Sequence, residues 1–155
     1  MNQTSTSGSA TGSRGDTDSY AGDVDVVDAW AALKADAAAV LVDVRTKAEW
    51  DFVGIPDLSD VGKKPVLVEW QTYPTMDLNG AFIDAVTAKI ADKSASIYIL
   101  CRSGARSKAA AIAMTEIGYS ACFNISDGFE GPHDVQQHRG QANGWQAQGL
   151  PWVQS

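Results

Sequence analysis

The chain has 155 residues, 45% of them hydrophobic, and a formal net charge of −7. That length supports one domain with a true core and no metal or disulfide staple, and the acidic balance argues against general binding to nucleic acid or to anionic membrane surfaces. Cys101 and Cys122 are the two cysteines, too few for a disulfide framework, and His133 and His138 lack metal-ligand spacing, so neither a metal site nor a cofactor is expected.

Residues 1–19 are rich in Ser, Thr and Gly with no periodic apolar face and read as a flexible tail ahead of a domain at 20–155. The N-terminus has no basic start followed by an apolar run. No later stretch reaches the roughly 20 apolar residues of a membrane span. A cytoplasmic location, with both thiols reduced, is the resulting expectation.

Asp23 or Asp25 is placed to cap a helix running to about Ala35, with Val26, Val27, Trp30 and Leu33 on one stripe. Val40-Leu41-Val42 is a short buried strand ending at Asp43, and a short helix follows from Thr46 to Phe52. Pro65 to Trp70 reads as a second buried strand. Phe82, Ile83, Val86 and Ile90 form a helical stripe ending near Lys89 to Asp92. Ile97 to Leu100 is a third strand, running directly into Cys101-Arg102-Ser103-Gly104. An Ala-rich helix from Ala105 to Ile117 is closed by Gly118, and Ala121 to Ile125 is a further strand before a Gly-rich ending. Strands spaced by helices imply an α/β fold with a mainly parallel central sheet and helices on both faces. Ligands in such folds bind outside the carboxyl ends of the strands, which is where Cys101 falls.

The chemistry sits in Cys101-Arg102-Ser103-Gly104-Ala105-Arg106. A strand-to-helix turn directs backbone N–H groups into its concavity, and the helix N-terminus adds roughly half a positive charge. Gly104 lets the backbone bend where a side chain obstructs it. Between Asp92 and Glu116 there is no acidic residue, while Lys93, Arg102, Arg106 and Lys108 all lie there. Arg106 opens the helix, and its guanidinium is expected to reach back toward the loop mouth. Such surroundings favour a cysteine thiolate. A thiolate in a cradle of N–H donors can attack a sulfane sulfur and then hold the resulting persulfide.

At these residues the chain resembles the rhodanese family. Leu41-Val42-Asp43-Val44-Arg45 with Glu49-Trp50 is similar to the family's Asp-x-Arg…Glu-aromatic segment. Gly128-Phe129-Glu130-Gly131 resembles its Gly-rich turn after the last core strand, and Gly144-Trp145 with Gly149-Leu150-Pro151-Trp152 its C-terminal ending. The resemblance runs from about Tyr20 to Trp152. It implies an α/β domain around a parallel sheet, Cys101 as the catalytic nucleophile, and a loop through Arg102, Ser103, Gly104, Ala105 and Arg106 that cradles the transferred sulfur. It also implies a small sulfur donor and a thiophilic acceptor, or a protein persulfide donor. Two departures stand out. The family's Gly-His-Ile-Pro-Gly-Ala is replaced by Val53-Gly54-Ile55-Pro56-Asp57-Leu58, and the Trp70 to Asn79 loop is long, so the donor is not expected to be simply thiosulfate.

Two other readings use the same loop. Cysteine-dependent phosphatases and arsenate reductases are the first; phosphatases carry five residues between Cys and Arg, whereas Cys101 and Arg106 enclose four. No Asp stands at a telling position as a general acid for that chemistry, with only Asp127 and Asp134 left open. A non-enzymatic persulfide carrier or interaction module is the second. Asp43, Arg45 and Glu49 read as a buried ion-pair set that braces the fold rather than reaching the site edge. Cys122 reads as core filler, His133 and His138 as surface residues, and Trp30 and Trp50 as core. Trp70 is divided between packing and lining the pocket.

Overall fold

The structure, a computed structural model, describes residues 19–131 and 144–154. The expected tail apart from Ser19, and the segment carrying His133, Asp134 and His138, lie outside the described residues. In chain order the elements are β1 (Gly22–Val24), α1 (Val26–Ala35), β2 (Val40–Asp43), α2 (Lys47–Phe52), β3 (Ile55–Pro56), a 3-10 turn at Ser59–Val61, β4 (Val66–Leu67), β5 (Gln71–Thr72), β6 (Asp77–Leu78), α3 (Phe82–Lys89), β7 (Ser96–Leu100), α4 (Ala105–Glu116), β8 (Ala121–Ile125) and β9 (Trp152–Val153).

Five strands form the central sheet in the order β1-β8-β7-β2-β4, and every neighbouring pair is parallel. The α/β expectation therefore holds. Side chains alternate across a strand, so β7 sends Ile97, Ile99 and the following Cys101 to one face and Tyr98 and Leu100 to the other. On the first face α3 and α4 pack through Phe82, Val86, Ala110, Ala111 and Met114. The second face is covered by α1, through Val26, Ala29 and Leu33, and by Phe129 and Trp145 from the C-terminal segment. With both faces buried, β2 and β7 consist almost wholly of apolar residues, as a central parallel strand must.

Local chemistry sets the helix starts. Asp25, not Asp23, caps α1 by accepting from the Asp28 N–H at 2.8 Å, because Asp23 is drawn into β1, beside Asn124. Val27 is displaced from the expected stripe to the surface, being 49% exposed. At α2, Thr46 and Glu49 make a reciprocal capping box. Three short pieces escape the sequence reading. β1 is one. The others are the antiparallel pair β3–β9 and the β5–β6 hairpin, whose strands are two residues each and leave no periodic signal. The expected strand from Pro65 to Trp70 pairs only at Val66 and Leu67. Trp70 leaves it to pack edge-to-face on Phe82, ring centroids 5.0 Å apart. Trp30 and Trp50 are only half-buried; the tryptophan sealed in the core is Trp145, against which Trp30 stands at 5.7 Å. No described helix is long and apolar enough to cross a membrane.

Candidate active site

Cys101 follows the last residue of β7, at the carboxyl edge of the sheet's central strand. Its Sγ accepts from the Gly104 N–H at 3.1 Å and lies 3.2 Å from the Ser107 hydroxyl. Hydrogen bonds of this kind are strongest when the acceptor is charged. The turn exists because Gly104 takes φ +105°, a conformation that L side chains rarely adopt, with its α-carbon so close to β8's end that a Cβ would sit 2.3 Å from the Ser126 carbonyl oxygen. The Gly-rich turn after β8 forms the other half of the clamp. The Phe129 N–H donates to the Cys101 carbonyl at 2.8 Å, and the Glu130 and Gly131 N–H groups both donate to the Arg102 carbonyl at 3.1 Å. Gly128 permits that approach: a Cβ there would lie 2.4 Å from the Arg102 oxygen. The two glycine-bearing motifs, distant in sequence, are two sides of one loop support.

Ser107 and Asn124 join this site and were not singled out from the sequence. Asn124 Nδ2 donates to Asp23 at 3.0 Å, which turns its Oδ1 toward Ser107 Oγ, 2.5 Å away. Ser107 has one hydroxyl proton and two acceptors, the asparagine oxygen and the cysteine sulfur. It can therefore follow the charge on sulfur without moving. The available signal was a polar residue in the otherwise apolar run from Ala121 to Ile125.

Arg106 lines the cleft with Cys101, and its guanidinium has a partner the sequence reading did not assign: it grips Glu49 with two bonds, Nη1 to Oε1 at 2.7 Å and Nη2 to Oε2 at 3.0 Å. Burial works against the Arg106 charge, yet the Glu49 hydrogen bond and charge outweigh it and raise its pKa further, with smaller help from Cys101 and Asp43. Burial likewise opposes the Glu49 charge, and Arg106, with Thr46, pulls it below the ordinary glutamate range. Glu49 thus reaches the site edge, contrary to the bracing role expected of it. A carboxylate depressed in the folded state stabilises above its unfolded pKa, and that contribution is lost as pH falls through the folded one. Melting temperature should therefore fall with acidification below about pH 4.3, and Glu49→Gln should flatten that limb while lowering stability at neutral pH. An identical acid limb in both proteins would refute the pairing.

Asp43 and Arg45 do brace. Both are fully buried. Arg45 bonds Asp43 at 2.7 and 3.0 Å, donates to the Gly54 carbonyl at 2.7 Å, and lies 4.2 Å over the Phe129 ring. It ties β2, the segment after α2 and the Gly-rich turn together behind the cysteine loop.

In front of the loop opens a cleft of about 480 Å³, lined by Cys101, Arg102, Ser103, Ala105 and Arg106 from the loop and helix start, by Thr46, Glu49, Phe52 and Val53 from α2 and its ends, and by Tyr73 and Met76. Trp70 does not line it. Asp127 is not among its lining residues either; it accepts from the Val26 N–H at 3.1 Å, at the start of α1. Cys122 is fully buried, and burial pushes its thiol up to about 11. Iodoacetamide at neutral pH should therefore modify Cys101 alone in the native protein and both cysteines after denaturation. Native labelling of Cys122 at a comparable rate would contradict this.

A family model described as the STR4 middle domain matches residues 22–155. The crystal structure of Rv0390 from M. tuberculosis is 46% identical, covering 88% of this chain and 100% of that one, with a TM-score of 0.81. The chloroplastic rhodanese-like domain-containing protein 4 of Arabidopsis thaliana is 30% identical over 127 residues, 81% of this chain and 24% of that protein. The polysulfide-sulfur transferase homodimer of Wolinella succinogenes, 20% identical, shares the fold with a TM-score of 0.57 over 85% of this chain and 77% of that one.

Proposed function

Because this chain belongs to the rhodanese-like proteins, in the family described as the STR4 middle domain, we propose that it transfers sulfane sulfur through a persulfide on Cys101. The observation that supports this most is the Gly104 N–H on Cys101 Sγ at the base of an open cleft. The thiolate attacks the sulfane sulfur of a donor. A new S–S bond forms, the donor's bond to that sulfur breaks, and the leaving group departs with the electron pair. The terminal sulfur of the persulfide is then taken by a nucleophilic acceptor, which returns the Cys101 thiolate. No net oxidant or reductant is needed.

The four residues between Cys101 and Arg106, one fewer than a cysteine-dependent phosphatase loop encloses, speak against the phosphatase alternative. The test is turnover. With thiosulfate or polysulfide as donor and cyanide as acceptor, the protein should form thiocyanate over many cycles. A protein that gains one sulfur yet never turns over would be a carrier, and one that gains none from either donor would refute sulfur transfer.

A further inference from the structure

Ser107 touches Cys101 Sγ from the first turn of α4, and behind it a line of hydrogen bonds runs to the surface at β1. The register of the sheet sets Asp23 of β1 beside Asn124 of β8. Asn124 Nδ2 donates to Asp23 Oδ1 at 3.0 Å, and the Tyr20 hydroxyl donates to the same oxygen at 2.8 Å. Cys101, Ser107 and Asn124 are all buried, whereas Asp23 is exposed. An apolar residue would fill the place of Asn124 in β8 without needing partners, so a buried amide there calls for a reason.

The direction of each bond follows from chemistry. A carboxylate only accepts, so the Asn124 amide presents Nδ2 to Asp23 and Oδ1 to Ser107. That oxygen also only accepts, so the 2.5 Å contact between Ser107 and Asn124 uses the serine proton. The same proton is the one that Ser107 can offer to Cys101 Sγ, 3.2 Å away. In a persulfide Sγ is a neutral bridging atom, and the proton belongs to Asn124. When an acceptor takes the terminal sulfur, the S–S electron pair returns to Sγ. A hydrogen bond to a charged acceptor is roughly twice as strong as a neutral one, so the proton turns to the sulfur by rotation about one bond.

Resting on the sulfur-transfer reading, we propose that Asp23, Asn124 and Ser107 form a positioning relay for the discharge half of the reaction. Ser107 stabilises Cys101 Sγ as the departing thiolate, and Asn124, held by Asp23, keeps the hydroxyl within its reach. With cyanide as acceptor, the C–S bond of thiocyanate forms, the S–S bond breaks, and its electron pair stays on Sγ. Two negative charges enter, on the persulfide and on cyanide, and two leave, on thiocyanate and on Cys101. Loading runs the other way. Charge leaves Sγ on the path to the transition state, so the same bond gives no acceleration once Cys101 is ionised. The other charges around the sulfur stand apart from this line: Arg106 is paired with Glu49 of α2, Asp43 of β2 with Arg45, and Arg102 is exposed. Burial and the hydrogen bond to Asp23 push the Tyr20 hydroxyl up to about 12, and burial pushes the Cys122 thiol of β8 up to about 11, so both stay neutral.

The experiment times the two halves separately. Cys101 is loaded with polysulfide, at a pH where loading no longer rises with pH, then freed of donor and mixed with cyanide. Ser107→Ala should slow discharge about tenfold or more and leave loading no slower than in wild type. Asp23→Ala, at an exposed position, should slow discharge about threefold, in the range of couplings between connected side chains. Asp23→Asn, whose amide oxygen still accepts from Asn124 Nδ2, should recover the wild-type rate. In the Ser107→Ala protein, Asp23→Ala should add nothing, because its effect passes through the serine. Equal slowing of loading and discharge by Ser107→Ala would mark a structural defect and overturn the proposal. So would discharge unchanged by that substitution, or an Asp23→Ala effect that persists without Ser107. If wild-type Cys101 gains no sulfur, the sulfur-transfer reading itself falls, a result distinct from normal loading with unaltered discharge.

Discussion

Cys101→Ser is expected to bring sulfur transfer down to the uncatalysed background while the protein stays folded. In the proposed mechanism the Cys101 sulfur forms the bond, and a serine hydroxyl neither ionises near neutral pH nor holds a sulfane sulfur as a persulfide. The fold should tolerate the exchange. Cys101 is buried, but a serine oxygen there inherits two groups placed to hydrogen-bond it, the Gly104 N–H and the Ser107 hydroxyl. With those partners present the stability change should be about 1 kcal/mol, a shift in melting temperature of about 2–4 °C for a chain of this size. Transfer retained by a folded Cys101→Ser protein would remove the cysteine from the mechanism. Cys122 offers no substitute: it lies in β8, fully buried, with its thiol protonated at neutral pH.

Gly104→Ala should damage both activity and stability, although it adds only one methyl group. Two costs coincide. The φ of +105° is one that residues with a Cβ rarely adopt, and the new Cβ would stand 2.3 Å from a backbone oxygen, that of Ser126. A backbone atom at the end of a paired strand cannot swing aside as a flexible side chain can. The loop must move, which withdraws the Gly104 N–H from Cys101 Sγ. A loss of about 2–4 kcal/mol is expected, with transfer reduced by about 100-fold or more from the lost donor and the misplaced sulfur. Gly62 supplies the control. It is also left-handed, at φ +71°, but nothing lies within 4 Å of its would-be Cβ, so Gly62→Ala should cost about 1 kcal/mol and leave transfer intact. Near-equal behaviour of the two variants in melting temperature and transfer would show that the loop is not held as described.

What the sequence made legible is what depends on neighbours in the chain. The apolar run Ile97 to Leu100, the cysteine at its end, Gly104 and the Ala-rich helix are contiguous, and together they specify a buried strand, a turn and a helix N-terminus. What escaped depends on partners far apart. Arg106 and Glu49 are separated by 57 positions, and nothing along the chain says that the guanidinium takes a carboxylate of α2 as its partner. Ser107 and Asn124, 17 positions apart, meet only because α4 lies across β8. The bracing of Asp43 and Arg45 was readable because the two residues are adjacent in the motif and sit where a buried strand meets a helix. The β5–β6 hairpin was visible only as a long loop after Trp70. Its consequence for the cleft, the display of Tyr73 and Met76 above Cys101, needed the structure.

The central claim is that sulfur resides covalently on Cys101, and peptide mass spectrometry after donor treatment tests it most directly. The protein is treated with polysulfide, freed of excess donor, trapped with an alkylating agent and digested. The account predicts one additional sulfur on the peptide containing Cys101, none on that containing Cys122, and none on either peptide of Cys101→Ser. Sulfur found on Cys122, or on no cysteine while transfer proceeds, would contradict it.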